Sequence, residues 1–160
     1  MIVREAMACE RDEIVALYES SQRATGLPDP RVVPPQELGE KLYARRAIGR
    51  YVAADASGIH GHGLIEPANP EHMNEWHAAA GGATFIELGG AFVDPERSGE
   101  GIWSELLAYR LNIVRSLGAV PVSVTWASNA HVMRGFERSG GRELARKTAA
   151  LGAISIYMFE

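Results

Sequence analysis

The chain has 160 residues, of which 46% are hydrophobic and 22% are charged, enough for one globular domain with a core of its own. The net charge of -4 argues against non-specific binding to nucleic acid, which needs a basic surface. Cys9 is the only cysteine, and the sequence shows neither a secretory signal pattern nor an apolar run of membrane-spanning length. We therefore expect a single cytoplasmic domain over residues 1–160, with no nucleic-acid or membrane partner.

The periodicity of apolar residues predicts elements of both kinds along the chain. In the first half these are, in order, a strand at 2–5, a helix at 10–21, a loop at 26–30, a helix from Pro35 that includes Ile48, and a hairpin of strands at 50–54 and 59–66. In the second half they are a strand at 84–93, a glycine loop and a helix to Leu117, a strand at 120–125, a helix at 129–139 with Ser128 as its N-cap, and strands at 141–149 and 153–159. This order indicates a mixed α/β sheet with helices on its faces.

The stretch 67–83, rich in Pro, Ala and Gly, is the longest predicted loop. It carries Trp76, and three interpretations stay open. It forms a lid over a substrate site, a contact with a second copy of the chain in a homodimer, or a surface loop that packs on itself.

Two features of the predicted strands indicate disturbed pairing. Gly89-Gly90 predicts a bulge or a close backbone approach inside the strand 84–93. Pro121 cannot donate a ladder hydrogen bond, so it suits the first position of a strand or an edge strand. Both lie in the strands that precede and follow the glycine loop and its helix.

The glycine loop, residues 97–104, joins the end of a strand to the start of a helix within the segment FVDPERSGEGIWSELL. Gly99 and Gly101 permit a tight turn, and the first helical turn adds unpaired N–H donors and the positive end of the helix dipole. Such a cradle binds phosphate or pyrophosphate without a basic side chain. From the pattern alone, a plain tight turn is an equally good interpretation. A dinucleotide-binding loop is weaker, because Ser104 stands where its third glycine is expected.

From Thr84 to Gly141 the chain resembles the GNAT superfamily of N-acetyltransferases, whose coenzyme A loop has the form Arg/Gln-x-x-Gly-x-Gly/Ala after a strand and a proline. The resemblance implies a central mixed sheet that splays between the strands 84–93 and 120–125, and transfer from acetyl-CoA to an amine. Strand backbone would then bind the pantetheine arm and the loop the pyrophosphate, while Pro121 would mark the place where strand pairing is abandoned. The cofactor-binding residues that the resemblance implies are Ala91, Phe92, Val93, Arg97, Ser98, Gly99, Gly101, Ile102, Trp103, Ser104, Asn129 and Phe136.

Several of these positions depart from the family pattern or have a second interpretation. Ser98 stands where Arg or Gln is usual, and Arg97 beside it is a candidate for the same phosphate contact. Trp103 stands where Gly or Ala is usual, and points either into the helix packing or into the cradle. Phe136 replaces the tyrosine that protonates the leaving thiolate in many relatives, so that role is vacant. Asn129 matches a residue that binds pantetheine, and is an equally good helix-capping residue.

An amine must be neutral to attack a thioester, so a base is expected near the reacting atoms. Glu87, within an otherwise apolar strand, is our candidate; an exposed strand glutamate is the alternative. His60 and His62 share one face of their strand with Glu66, and either line an acceptor pocket or face solvent.

A metal site is not expected. His72, Glu75 and His77 lack the His-Glu-x-x-His spacing of a zinc site. His131 and Arg134, in the first turns of the helix 129–139, lie either near the cofactor or on a solvated face.

The sequence favours an acetyl-CoA-dependent N-acyltransferase that acts on a small-molecule or peptide amine by direct attack. The alternative is a non-catalytic, acyl-CoA-binding regulatory module, which Ser98, Trp103 and Phe136 motivate. A third hypothesis, a nucleotide-binding protein, depends only on the bare Gly-x-Gly. The acceptor has no signature in the sequence.

Overall fold

The computed structural model describes residues 1–25 and 38–160, so the expected loop at 26–30 and the expected helix start at Pro35 lie outside the described residues. The strands are β1 (Ile2–Glu5), β2 (Gly49–Asp55), β3 (Gly58–Pro67), β4 (Phe85–Val93), β5 (Val120–Trp126), β6 (Gly141–Ala149) and β7 (Gly152–Phe159). The helices are α1 (Arg11–Thr25), α2 (Leu38–Ala44), α3 (Met73–Ala79), α4 (Ile102–Ser116) and α5 (Ala130–Arg138). None of these helices is long and apolar enough to cross a membrane.

The strands form one mixed sheet in the order β1-β2-β3-β4-β5-β7-β6. All neighbours in this sheet are antiparallel except β4 and β5, which run parallel and are joined by the crossover helix α4. The predicted mixed α/β sheet is therefore confirmed.

Three apolar clusters hold the helices to the sheet. On one face, α4 packs through side chains such as Leu106 and Val114, both fully buried, against β2, β3 and β4. On the other face, Ile14 and Tyr18 of α1 and Leu42 of α2 pack against β2 and β3. The third cluster packs α3 against β4, β5 and β7. Each fully buried Leu or Ile side chain contributes about 1.5–3 kcal/mol of transfer free energy.

The predicted long loop at 67–83 was wrong, because the segment contains a 3₁₀ turn at Pro70–His72 followed by α3. Trp76 is fully buried, and its Nε1–H donates to the backbone oxygen of Tyr157 over 3.2 Å. The segment therefore packs on its own domain. The alanine and proline residues of this segment predicted a loop, whereas the helix α3 depends on the tertiary packing of Trp76.

Two boundaries also differ from expectation. Helix α2 ends at Ala44, and Ile48 is half exposed and precedes β2, so its apolar side chain does not continue the helix. Pro121 does not mark the end of strand pairing, because it pairs with Ile86 of β4. Pro121 lies near the start of β5, one residue before the ladder between β5 and β7 begins at Val122. Because it precedes that ladder, its lack of an N–H group removes no hydrogen bond between β5 and β7.

The two histidines of β3 are buried, so the interpretation that they face solvent was wrong. His62 is fully buried against the ring of Phe92, at 4.7 Å between centroids, and its Nδ1 lies 2.9 Å from the backbone oxygen of Gly90. Burial lowers the pKa of His62 to about 3, with smaller contributions from Arg50 and Arg110.

This burial predicts a pH-dependent stability. Unfolded His62 takes up a proton near its ordinary pKa of about 6.5, whereas the folded protein resists protonation until about pH 3, so the free energy of unfolding falls as the pH drops through this window. Between pH 6.5 and 4.5 we expect the variant His62→Gln to lose less stability than the wild type, by about 1.4 kcal/mol per pH unit. Urea denaturation at several pH values measures it. Equal slopes for wild type and variant would contradict the prediction, and the exposed His131→Gln is the control.

Candidate functional site

Strands β4 and β5 pair over only three residues and then separate. The parallel ladder joins Phe85–Glu87 to Val120–Val122 and goes no further. At the branch point, Ser123 Oγ donates to the backbone oxygen of Leu88 over 2.8 Å, so a side chain replaces the next ladder bond. The predicted splaying of the sheet between these two strands is confirmed.

Strand β4 remains paired with β3 beyond this separation, through a bulge. The register passes from Leu64↔Gly89 to His62↔Phe92, so Gly90 and Ala91 together lie opposite a single residue of β3. Gly90 has a φ of +54°, a conformation that glycine adopts without strain. The bulge that the glycine pair predicted is therefore present, and it bends β4 at the branch point.

After the bulge, no strand of the described part of the chain pairs with the β5-facing edge of β4. The N–H of Asp94 donates to the oxygen of His60 on β3 over 2.8 Å. Because backbone groups alternate along a strand, the N–H and C=O of Val93 point away from β3, toward the space between β4 and β5. These are the groups expected to pair with a pantetheine arm.

The space between the separated strands is a cavity of about 200 Å³, here called the cleft. Several predicted site residues line it: Glu87, Ala91, Phe92, Trp103, Asn129 and Phe136. The remaining predicted residues lie beside it, in the end of β4, the glycine loop and the first turn of α4: Val93, Arg97, Ser98, Gly99, Gly101, Ile102 and Ser104. The cofactor contacts of both groups stay predictions.

The glycine loop has the geometry of an anion cradle. It leaves a 3₁₀ turn at Pro95–Arg97, and Gly99 and Gly101 adopt φ values of +89° and +84°. Gly101 is the N-cap of α4 and offers no side-chain cap, so the first-turn N–H groups keep their donors for another acceptor. No atom lies within 4 Å of the Cβ that either glycine would carry, so the backbone conformation alone selects glycine there.

The Arg97 side chain forms ion pairs with two carboxylates instead of extending away from the glycine loop. Its guanidinium bonds Asp55, at the tip of the β2–β3 hairpin, over 2.8 Å and Glu100 over 2.7 Å, and these partners raise its pKa. Asp55 also lies 3.0 Å from His60 Nε2, whose Nδ1 is 3.5 Å from Asp94. This network ties the glycine loop to the hairpin. A phosphate contact by Arg97 would have to compete with it.

Trp103 packs between the helices, as one of its two interpretations predicted, and the narrowing of the cradle stays a prediction. Its ring packs on α5 against Gly135, where an added Cβ would collide with it, and its centroid lies 5.6 Å from that of Phe136. The same side chain borders the cleft. Because Gly135 makes room for the indole, the bulky residue fits at a position where the family pattern has Gly or Ala.

The helix cap after β5 is Asn129 and not Ser128, so that prediction was wrong. Asn129 Oδ1 accepts a hydrogen bond from the N–H of Val132 over 3.4 Å, although Ser128 is an equally good capping residue by type. Asn129 also lines the cleft, and its amide nitrogen is not used by the cap.

Tyr157, the tyrosine that packs against Phe136, does not supply the hydroxyl that is missing at position 136. Phe136 is buried and packs edge-on against Tyr157, at 5.1 Å between centroids. Tyr157 does not line the cleft, and burial raises its pKa to about 12. The cleft contains other hydroxyl groups, of Tyr18, Ser21, Ser123 and Thr125.

Glu87 is buried, so the alternative of an exposed strand glutamate was wrong. Its side chain lines the cleft, and Oε2 accepts the N–H of Asn69 over 2.8 Å. It lies directly opposite Glu66 of β3 in the register. Two carboxylates at a cross-strand pair repel one another unless cations or donors offset them.

Sequence reasoning missed two arginines that line the cleft, Arg110, which is buried, and Arg45, which is partly buried. Arg110 of α4 is almost fully buried, donates to the oxygens of Leu64, Gly89 and Leu106, and has its pKa lowered to about 10 by burial. Arg45 pairs with Glu66. The one signal in the sequence was the position of Arg110 on the apolar face of its helix, which indicates burial.

Within the described ranges, 1–25 and 38–160, no three His, Cys, Asp or Glu residues gather to hold a metal ion.

Solved structures of N-acetyltransferases share this fold. An N-acetyltransferase from Staphylococcus aureus Mu50 superposes with a TM-score of 0.74 at 16% identity, covering 99% of this chain and 97% of its own. A GNAT family acetyltransferase from Brucella melitensis in complex with acetyl-CoA gives 0.63 at 23%, covering 99% and 88%. The ribosomal-protein-alanine N-acetyltransferase from Brucella melitensis gives 0.71 at 18%, covering 99% and 98%.

No protein-family model and no curated protein matches the sequence. The structural likenesses nevertheless extend over nearly the whole chain. The fold of the chain is that of the GNAT N-acetyltransferases.

Placing a carboxylate in the cradle should prevent acetyl-CoA binding. The substitution Gly101→Glu adds strain at a φ of +84° and sets a negative charge against a pyrophosphate. We expect calorimetric titration to show at least a hundredfold loss of affinity, about 2.7 kcal/mol or more. The matched control is Gly118→Glu at the opposite end of α4, where φ is +73° and no atom lies within 4 Å of the added Cβ. An unchanged affinity for Gly101→Glu would show that the cradle lies elsewhere.

The complementarity of Trp103 and Gly135 gives a second prediction. Gly135→Ala, which normally favours a helix by about 1 kcal/mol, should destabilise the protein by about 1–3 kcal/mol because the new methyl group meets the indole. In a Trp103→Ala background the same change should be neutral or stabilising. Urea denaturation of the four proteins measures the coupling. Additive effects would mean that the two residues are independent.

Proposed function

We propose that the protein transfers an acetyl group from acetyl-CoA to the amine of an acceptor by direct attack. The carrying observation is the cleft between β4 and β5, which opens beside the glycine loop on a fold shared with acetyltransferases. One of those structures contains acetyl-CoA. In this protein, the N–H donors of the glycine loop and the unpaired edge of β4 fit the two polar parts of acetyl-CoA, which are a pyrophosphate and a chain of amides.

The chain's own groups would divide the binding. The N–H groups at the start of α4 would donate hydrogen bonds to the pyrophosphate oxygens, and the helix dipole would favour the bound negative charge. The backbone of Ala91 and Val93 would pair with the pantetheine amides as a neighbouring strand would. Asn129, at the start of α5, and Trp103 of α4, which packs on α5, border the same cleft.

In the reaction the neutral acceptor amine loses one proton, and the carbon–sulfur bond of the thioester breaks. The amine nitrogen forms a bond to the thioester carbonyl carbon, the carbon–sulfur bond breaks, and the thiolate leaves with the electron pair. Glu87, buried in the cleft wall, takes the proton from the amine directly or through a water. A coenzyme A thiol has a pKa of roughly 8.5, so the thiolate departs without a dedicated acid at Phe136.

Replacement of Glu87 tests the proposed base. Glu87→Gln keeps an oxygen that can accept the Asn69 N–H, so the fold and acetyl-CoA affinity should persist while kcat falls by about 10²–10⁴-fold. Release of free thiol with a panel of amines measures kcat, and calorimetry measures affinity. The exposed Glu71→Gln is the control.

The outcomes separate the hypotheses. Turnover by Glu87→Gln at the wild-type rate would exclude Glu87 as the base. Binding of acetyl-CoA by the wild type without turnover on any amine would favour a non-catalytic binding module. Failure to bind acetyl-CoA at all would contradict the proposed function.

A further inference from the structure

Arg45, which follows the last residue of α2, is largely buried beside the branch point of the sheet. Its side chain is 11% exposed and lines the cleft. Nε donates to Glu66 Oε2 over 3.1 Å, and Nη2 bonds Glu66 Oε1. Glu66 therefore holds the guanidinium along one edge in a bidentate pair.

The second edge of this guanidinium has no partner among the described residues. An arginine carries five N–H groups, and Glu66 occupies one on Nε and one on Nη2. Within residues 1–25 and 38–160, the Nη1 group makes no hydrogen bond or ion pair. The edge formed by Nη1 and Nη2 therefore remains as a parallel pair of donors, the arrangement that binds a planar carboxylate.

The guanidinium lies directly over the bulge of β4. A Cβ added at Gly89 would collide with Arg45 Nη2, and one added at Gly90 would lie 3.0 Å from Nη1. The glycine pair therefore serves two purposes, the bulge and the close approach of this charge. Because Ala91 of this bulge is a proposed pantetheine contact, a group bound to Arg45 would lie beside that arm of acetyl-CoA.

Charges around the cleft match a small zwitterion. Glu66 and Glu87 are cross-strand neighbours, Arg45 pairs with the first, and Arg50 interacts electrostatically with the same carboxylate. An α-amino acid has its amine and its carboxylate on one carbon atom. Its carboxylate can bind the open edge of Arg45 while its amine faces Glu87.

We infer that the acceptor is a free α-amino acid, recognised through its carboxylate by Arg45. This inference rests on the proposed acetyl transfer and adds the class of acceptor.

The experiment compares acids with their amides. The twenty common L-amino acids and their primary carboxamides are offered with acetyl-CoA, and thiol release is followed. Thermal shifts of the coenzyme A-bound protein report binding of the same compounds. At least one acid should be acetylated with a kcat/KM about a hundredfold above its amide, since a neutral amide offers the open edge of Arg45 one oxygen and no charge where a carboxylate offers two charged oxygens.

Variants assign that preference to Arg45. Arg45→Gln should abolish the ratio of acid to amide, and Arg45→Lys should retain only part of it because the paired donors are lost. Glu66→Gln breaks the same ion pair but leaves the open edge of Arg45, so the ratio should persist. The ratio is insensitive to a general loss of active protein, which separates recognition from a structural role.

Each contrary result overturns the inference in a distinguishable way. Acetylation of uncharged amines without any preference for acids, or an acid preference that survives in Arg45→Gln, would exclude the acceptor class while the proposed transfer stands. An absence of both turnover and thermal shift with every amino acid, in a protein that binds acetyl-CoA, excludes it too. If acetyl-CoA itself does not bind, the proposed function and the inference both fail.

Discussion

The structure depends on the failure of β4 and β5 to remain paired after Val122. A sheet interior rarely leaves backbone donors and acceptors without partners, because burying them unpaired costs free energy. Here the Ser123 hydroxyl satisfies Leu88, and the next groups along β4 face a cleft. The separated strands thus present an edge that an extended, amide-containing ligand would complete.

Two other features are arranged around this separation. The bulge at Gly90 bends β4, while the end of the same strand leads through a 3₁₀ turn into the glycine loop and α4. One continuous segment therefore supplies both the unpaired edge and the helix N-terminus. The ion pair of Arg97 with Asp55 joins the loop to the β2–β3 hairpin, and its pair with Glu100 lies within the loop.

Local patterns in the sequence predicted most of the fold, and tertiary contacts explain most of the misses. The element order, the hairpin and the glycine loop follow from periodicity and from glycine positions. Burial of Glu87, His62 and Trp76 does not, because each depends on a partner distant in sequence. The pairing of Arg45 with Glu66 spans 21 residues, and no local pattern links them. The N-cap of α5 was assigned to the wrong residue for a local reason: Ser128 and Asn129 are adjacent and suit that position equally by residue type.

Amide hydrogen exchange at Val93 tests the central claim most directly. In the free protein this N–H points away from β3, on the side of β4 from which β5 has separated, while Ile86 of the same strand lies in the paired ladder. The account predicts that saturating acetyl-CoA slows exchange at Val93 strongly and changes that of Ile86 little, because the ligand replaces the missing strand. Unchanged exchange at Val93 in a protein shown to bind acetyl-CoA would contradict it.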